Sequence, residues 1–248
     1  MSKSDTITVY WGPAERLPYQ SRNNMLHRKP ESLLSFIHGE RTPDAQQVRC
    51  PAIKDRLDNV FVMKSAINDS FDFNLDEAVA IKDSHAEHLY DVDSPFRVIK
   101  SRVSNLKDYY PATYMLSWYF FASEPLMAKF TAPYYPSFSP IKGALLATGE
   151  YDIGRWFRPV ALDYHIPIDQ SHFELHENDP VMFVEFMTDK KVVFKRFEPE
   201  DILHSLAIEF ASTPTTVGPN LSLEERYDHA KESEMTKVVL ANIKKNLV

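Results

Sequence analysis

The chain has 248 residues, of which 44% are hydrophobic and 25% charged, proportions ordinary for a folded globular protein and unlike those of a disordered one. A formal net charge of −7 argues against a general nucleic-acid-binding protein. No segment reaches the roughly 18 consecutive apolar residues of a membrane-spanning helix, and no signal peptide is recognised. The single cysteine, Cys50, cannot form an intramolecular disulfide. We therefore expect a cytoplasmic protein with no nucleic-acid partner and no membrane insertion.

The N-terminal half of the chain predicts strands separated by polar segments. Residues 6–11 (TITVYW) and 59–66 (NVFVMKSA) are rich in the β-branched and aromatic side chains that strands favour. Between them, the apolar group at residues 33–37 predicts a brief helix. Residues 70–81 alternate apolar with polar side chains and predict a strand exposed on one side. Residues 114–121 (YMLSWYFF) form the most apolar run and predict a central strand.

Residues 129–140 (KFTAPYYPSFSP) predict a rigid aromatic loop, because three prolines interrupt any strand ladder. Tyr134, Tyr135 and Phe138 of this loop, with nearby Trp156, are candidate binding residues. Rigid aromatic side chains bury a large area at a small entropic cost, which suits a contact surface. The alternative is that the loop folds down and closes one end of the β domain.

Short segments of strand character follow at close spacing, at residues 143–151, 157–166, 172–175, 181–187 and 191–197. Turn residues separate these segments, and the sequence Thr188-Asp189-Lys190-Lys191 predicts a hairpin between the last two strands. Short strands at such intervals are typical of a β-sandwich or a β-barrel.

The C-terminal segment changes to helical character. Residues 202–210 predict a short helix, and residues 212–220 (STPTTVGPN) predict a linker. Ser222 is a suitable N-cap for a further helix that runs to about Lys245, where the basic side chains favour a helix end. This helix is expected to pack on the β domain or on a neighbouring subunit.

These elements together predict a mainly β protein. A β-sandwich or β-clip-like barrel with long proline- and aromatic-rich loops is expected over residues 1–200. A helical C-terminal appendage is expected over residues 201–248.

The sequence SHFELH offers a candidate metal site. It alternates as a strand does, so His172, Glu174 and His176 share one face, and the two apolar residues between them share the other. Two imidazoles and a carboxylate suit a divalent metal such as non-haem iron. At ~3.3 Å per residue the three span roughly 13 Å, so a remote ligand such as His165 or His204 is needed to complete the site. The alternative is the solvent-facing side of a half-buried strand.

Two resemblances to known families follow from particular residues. Cys50-Pro51-Ala52, residues 59–65 and residues 143–197 resemble uncharacterised proteins of tailed marine phages and of some bacteria. That family has no established activity. The resemblance implies a location in the host cytoplasm or in the virion.

Residues 149–152 (GEYD) and 178–186 (NDPVMFVEF) loosely resemble the β-clip core of trimeric dUTPases and dCTP deaminases. The resemblance implies that architecture and a trimer, with Asp152 at the position of the family's hairpin aspartate. The phosphate-binding Arg-Ser motif and the glycine-rich C-terminal arm of that family do not occur in this sequence, so no activity is carried over.

We therefore expect a non-catalytic, phage-type structural or interaction protein that self-assembles or binds a partner protein through its aromatic loops. The alternative is a small-molecule pocket protein, either an Fe(II)-dependent oxygenase-like enzyme or a nucleotide-directed β-clip protein. A divalent metal is the one cofactor that the residues suggest.

Overall fold

The computed structural model describes residues 6–14, 27–39, 50–65, 68–74, 79–82, 96–98, 108–134, 144–147, 149–169, 172–217 and 221–248. In this part of the chain the strands form a six-stranded, a five-stranded and a three-stranded sheet. The two larger sheets share one hydrophobic core, so they pack face to face as a sandwich. The prediction of a mainly β protein with C-terminal helices is confirmed, and the sheets are open rather than closed into a barrel.

The six-stranded sheet contains the longest of the described strands. Its members are β1 (Thr6–Pro13), β6 (Phe96–Val98), β7 (Tyr109–Ala122), β9 (Leu145–Leu146), β11 (Pro159–Pro167) and β14 (Lys191–Arg196). Their order is β14-β1-β7-β11-β9, with β6 also paired to β7. The apolar run YMLSWYFF lies in β7, which is the central strand, as predicted.

The five-stranded sheet faces it across the core. Its members are β2 (Glu31–Ser32), β3 (Val60–Lys64), β8 (Met127–Thr131), β10 (Gly149–Asp152) and β13 (Pro180–Phe186), in the order β10-β8-β13-β3-β2. The small third sheet has the order β12-β4-β5, with β4 (Asp69–Asn74), β5 (Val79–Lys82) and β12 (His172–Leu175). Residues 70–81 thus contribute two strands, where the alternation predicted one.

Helices pack on the outer faces of both larger sheets. α1 (Leu33–Gly39) and α2 (Pro51–Leu57) pack on the five-stranded sheet. α3 (Asp201–Val217), α4 (Leu223–Glu232) and α5 (Met235–Lys245) follow the last strand, and they pack on the outer face of the six-stranded sheet. None of the described helices is long and apolar enough to cross a membrane.

Much of β1 and β13 is buried on both faces, because helices pack on the outer faces of the two sheets over these strands. In β1, Val9 and Trp11 point into the core between the sheets, and Tyr10 points toward the C-terminal helices. In β13, Val184 points into the core, and Phe183 points outward to α1 and α2. Strands covered on both faces read as nearly continuous apolar runs, which is how these segments appear in the sequence.

The prediction of an irregular loop over residues 129–140 is wrong for its first residues. Residues 129–131 belong to β8, where Phe130 is buried in the core. The first proline of the segment, Pro133, lies beyond the end of this strand and leaves the ladder intact. Residues 135–140 lie outside the described residues.

The predicted hairpin at residues 188–191 is also wrong. β13 belongs to the five-stranded sheet, and β14 pairs in parallel with β1 in the six-stranded sheet. The connection therefore crosses from one sheet to the other. The side-chain amide of Asn59 holds this crossing, because its Nδ2 donates to the carbonyl oxygens of Thr188 at 2.6 Å and Lys190 at 3.2 Å.

The C-terminal segment contains more helix than the sequence indicates. α3 continues to Val217, so most of the predicted linker is helical. Ser222 caps α4 as predicted and forms a capping box with Glu225. The predicted single helix breaks at Glu234, whose φ of 56° is left-handed. The helices pack on the chain's own β domain, which is one of the two expected arrangements.

Candidate interaction surface

The outer face of the five-stranded sheet divides into two halves. α1 and α2 cover the half over β3, where Val60, Val62 and Phe183 are buried. The other half lies over β8, whose burial alternates so that Met127 and Lys129 are partly exposed on the outer face. This second half presents the candidate functional residues.

Four charged side chains cross this half in one row. Glu185 on β13 is paired with Lys129 on β8, and Lys129 is paired with Glu150 on β10. Arg56 on α2 completes the row, because both of its terminal nitrogens donate to the Glu185 carboxylate, Nη2 at 2.8 Å. The signs along the row alternate as plus, minus, plus, minus.

The ion pair at one end of the row is well formed. The hydrogen bond to Glu185 raises the pKa of Arg56 above its ordinary value, so the guanidinium stays charged. The Arg56 side chain is 59% exposed and that of Glu185 is 21% exposed. Arg56 therefore stands above the sheet with its positive charge accessible.

Two apolar side chains flank the charged row. On the outer face of β13 and its continuation, every second residue points the same way as Glu185. Phe183 and Met187 therefore lie on either side of the charged row, two residues before and two residues after Glu185. Tyr134 contacts Phe183 edge-on with ring centroids 4.9 Å apart, and it remains 51% exposed. Met187 is 47% exposed, and its backbone N–H donates to the Met127 carbonyl at 2.9 Å.

We call this set the Tyr134 surface, and its members are Arg56, Lys129, Tyr134, Glu150, Glu185 and Met187. Tyrosine, methionine and arginine are enriched in protein interfaces relative to other surface. Strands hold the backbone of three of these six residues and α2 holds that of Arg56, so little order has to be gained on binding at these four positions. The arrangement is suited to a protein contact.

The other aromatic candidate on described residues, Trp156, lies elsewhere. Its ring meets Tyr151 at 5.4 Å, and its Nε1 donates to the Phe210 carbonyl of α3 at 3.4 Å. The guanidinium groups of Arg158 and Arg226 lie over the same ring. Trp156 thus joins the sandwich to the helices, whereas Tyr134 lies on the outer face of the other sheet.

Tyr135 and Phe138 lie outside the described residues. Their predicted role in binding stays a prediction.

The structure places the SHFELH strand, β12, at the edge of the three-stranded sheet. His172, Glu174 and His176 are exposed and Leu175 is buried, as the alternation predicts. The Glu174 carboxylate lies between the imidazoles, with Oε1 3.4 Å from His172 Nε2 and Oε2 3.7 Å from His176 Nε2. The carboxylate therefore brings the three side chains closer together than the strand spacing alone indicates.

No group of three or more histidine, cysteine, aspartate or glutamate side chains within the described ranges is arranged to hold a metal ion. His204, a candidate remote ligand, is buried in α3, where its Nδ1 lies 3.1 Å from the Tyr119 hydroxyl. The metal site at His172, Glu174 and His176 stays a prediction.

Asp152, the aspartate of the β-clip resemblance, is buried at the end of β10, where the chain enters a turn. Its Oδ1 accepts hydrogen bonds from the backbone N–H groups of Leu126 at 2.9 Å and Gly154 at 2.8 Å. Its Oδ2 accepts from Arg155 Nε at 2.7 Å, and its own backbone N–H donates to the Tyr227 hydroxyl of α4 at 2.7 Å. These bonds tie the turn to the start of β8 and to the helices.

Asp152 is almost fully buried, and the chain beside it packs closely. A Cβ at Gly154 would lie 2.1 Å from the Glu124 carbonyl oxygen, so only glycine fits that approach. The Arg155 guanidinium lies 4.9 Å from the centre of the Tyr227 ring, and burial raises the pKa of Tyr227. The geometry is that of a structural junction.

Local sequence patterns did not indicate the charged row. Arg56, Lys129, Glu150 and Glu185 come from four separate segments, and the register of β8 against β10 and β13 brings them together. The available signal was a single charge in each of the two otherwise mainly apolar strands β8 and β13. The partner strands cannot be read from that signal.

Comparisons of the chain with protein-family models, curated proteins and solved structures found no match. The resemblances to phage proteins and to β-clip enzymes therefore stay predictions.

Proposed function

We propose that this protein is a non-catalytic assembly protein, in which two copies associate through their Tyr134 surfaces. The observation that carries the proposal is the alternating row Arg56, Glu185, Lys129 and Glu150. A row with this sign pattern is complementary to itself when it is reversed. A second copy of the chain is therefore the partner that the charges favour.

The geometry of the row selects one symmetry axis. A two-fold axis parallel to the strands reverses the row, so Arg56 faces the partner's Glu150 and Glu185 faces the partner's Lys129. An axis across the strands would place like charges opposite each other. The parallel axis also brings Tyr134 toward the partner's Tyr134 and Met187 toward the partner's Met187. The flanking apolar contacts thus form under the same symmetry as the charge pairs.

The buried polar groups support a structural role. The Asp152 carboxylate is engaged by two backbone N–H groups and one guanidinium. The buried Tyr164 hydroxyl donates to the Val181 carbonyl at 3.0 Å. These groups stabilise the fold and are occupied in doing so, whereas the accessible chemistry of the Tyr134 surface is that of an interface.

A charge-swap experiment tests the proposal. Arg56→Glu and Glu150→Lys each create two like-charge contacts in a symmetric dimer, so each variant alone should associate more weakly. At each contact, an attraction of about 0.5 kcal/mol becomes a repulsion of similar size, a change of about 1 kcal/mol. The two contacts together therefore weaken the dimer by about 2 kcal/mol, which is a roughly 30-fold rise in its Kd. An equimolar mixture of the two variants restores opposite charges and should recover the dimer.

Sedimentation velocity over a concentration series gives the readout. Lys244→Glu and Glu232→Lys are matched controls, because they change the charge equally at exposed helical positions outside the Tyr134 surface. The proposal fails if the wild-type chain is monomeric at every concentration. It also fails if the mixture associates no better than either variant alone.

The alternative of a metal-dependent pocket protein is supported by one observation, the position of the Glu174 carboxylate between His172 and His176. It predicts bound metal that His176→Ala removes. The nucleotide-directed version predicts thermal stabilisation of the chain by one nucleotide of a panel.

A further inference from the structure

β14 is an edge strand of the six-stranded sheet. It pairs in parallel with β1 along residues 191–196. On the other side of β14, the described part of the chain supplies only residues 246–248, which we call the tail. Leu247 of the tail forms an antiparallel bridge with Phe197. The tail covers one end of the edge and leaves the rest of the strand without a described neighbour.

The tail identifies the backbone groups that face outward. Glu198 N–H donates to the Asn246 carbonyl at 3.0 Å, and Val248 N–H donates to the Arg196 carbonyl at 3.2 Å, whereas Phe197 N–H donates back to β1. Every second residue of β14 therefore points its backbone N–H and C=O groups away from β1, and this alternation extends along the strand because its register with β1 is continuous. The next outward-facing positions are residues 194 and 192.

The side chains of β14 indicate which kind of strand could pair with this edge. On one face, Val192 is buried and Phe194 packs on Phe61 with ring centroids 4.8 Å apart. On the opposite face, Lys191 and Lys195 are exposed. An added strand would meet apolar side chains on the face toward the core and two positive charges on the face toward solvent.

We propose that the β14 edge binds an extended acidic segment of another protein, which adds to the six-stranded sheet antiparallel to β14. Backbone bonds to residues 192 and 194 supply the affinity, and acidic side chains opposite Lys191 and Lys195 supply the specificity. The bound segment lies beside residues 191–195 of β14, next to the position where the tail ends at Val248. This site lies apart from the Tyr134 surface and serves a different partner.

A second copy of the chain does not suit this edge. Two copies would pair antiparallel, with residue 192 of one opposite residue 194 of the other. Lys191 then lies opposite the partner's Lys195, and Lys195 lies opposite the partner's Lys191. Like charges directly opposite each other in a sheet are destabilising. Acidic side chains are complementary to Lys191 and Lys195, so a neighbour that carries them is favoured at this edge.

Amide hydrogen exchange in a fusion tests the inference. The sequence Glu-Val-Thr-Val-Glu is added directly after Val248, where it can pair with residues 191–195 at high effective concentration. The backbone amides of Val192 and Phe194 should exchange roughly tenfold more slowly than in the unmodified chain. The control extension Lys-Val-Thr-Val-Lys should give no protection, and the double variant Lys191→Glu/Lys195→Glu should reverse this preference.

The same segment is then tested as a free peptide. A fluorescein-labelled Ser-Glu-Val-Thr-Val-Glu-Ser peptide should bind saturably by anisotropy. The Lys191→Glu/Lys195→Glu variant should weaken binding roughly tenfold or more, and Lys231→Glu/Lys244→Glu should not. Equal protection by both extensions, or none by either, overturns the inference. Protection of Val192 and Phe194 in the unmodified chain that disappears on dilution also overturns it, because a second copy would then occupy the edge.

Discussion

Substitution of Asp152 tests whether its carboxylate stabilises the fold or binds a ligand. Asp152→Asn preserves the shape and the oxygen that accepts from Leu126 and Gly154. It replaces the oxygen that accepts from Arg155 Nε with an amide that also donates, so the charge-assisted bond of 2.7 Å is lost.

The magnitude follows from the environment of the two partners. A hydrogen bond to a charged group contributes about 1.5–3 kcal/mol, and the lower half applies because the Arg155 side chain is 37% exposed and can be hydrated. We therefore expect Asp152→Asn to lower the free energy of unfolding by about 2 kcal/mol. Asp152→Ala also leaves two backbone N–H groups without their acceptor, so its loss should reach about 4 kcal/mol.

Urea unfolding followed by tryptophan fluorescence measures both losses. Glu224→Gln is the control, because this second partner of Arg155 is 69% exposed and should contribute less than about 0.5 kcal/mol. The reasoning is refuted if Asp152→Asn unfolds with the wild-type free energy. If such a variant also loses binding to a nucleotide, Asp152 is a functional carboxylate, as the β-clip resemblance implies.

Three further predictions follow from individual side chains. Tyr164→Phe should cost about 1 kcal/mol in urea unfolding, whereas Tyr151→Phe should be neutral or stabilising, because the buried Tyr151 hydroxyl has no hydrogen-bond partner among the described residues. Burial raises the pKa of both tyrosines, so stability should be full below about pH 10 and should fall as the pH rises above it, as unfolding at increasing pH would show. Metal analysis of the purified, iron-replete and reduced chain should find metal that His176→Ala removes if the predicted metal site exists, and its absence would eliminate the site.

The N-cap of α4 gives a pH dependence of opposite sign. Bonds to Ser222 lower the pKa of Glu225, so this contribution to stability is present above the ordinary glutamate pKa and is lost as the pH falls through the lowered value. Ser222→Ala should cost about 1 kcal/mol at neutral pH. Glu225→Gln should remove this acid dependence, because the main cause of the lowered pKa is the hydrogen bond from the Ser222 backbone N–H to the Glu225 carboxylate. Urea unfolding between neutral and acidic pH measures both effects, and a Glu225→Gln chain that loses as much stability in acid as the wild type would contradict the assignment.

The sequence predicted those elements whose signals are local. The apolar run around Trp118 and Phe120 predicted the central strand, because a strand covered on both faces needs no polar alternation. The alternation around Leu175 correctly separated the buried face of β12 from the exposed one. Ser222 predicted a helix start, since an N-cap depends only on residues within one turn.

The failures occurred where distant residues decide the structure. The turn residues after β13 suggested a hairpin, but local turn chemistry does not state which sheet the next strand joins, and β14 pairs with β1 instead. The prolines after Phe130 suggested a loop that begins too early. The charged row through Lys129 and Glu185 depends on strand register across the sheet, which no local pattern contains.

Disulfide trapping at the proposed two-fold axis tests the central claim of self-assembly most directly. In a Cys50→Ser background, which removes the exposed native thiol, Tyr134→Cys places one thiol near the axis of the proposed dimer. Mild oxidation should give a covalent dimer of Tyr134→Cys on a non-reducing gel. Ile208→Cys, at a position 65% exposed on α3, should remain monomeric under the same conditions. A Tyr134→Cys chain that stays monomeric, or that crosslinks no faster than Ile208→Cys, would contradict the account.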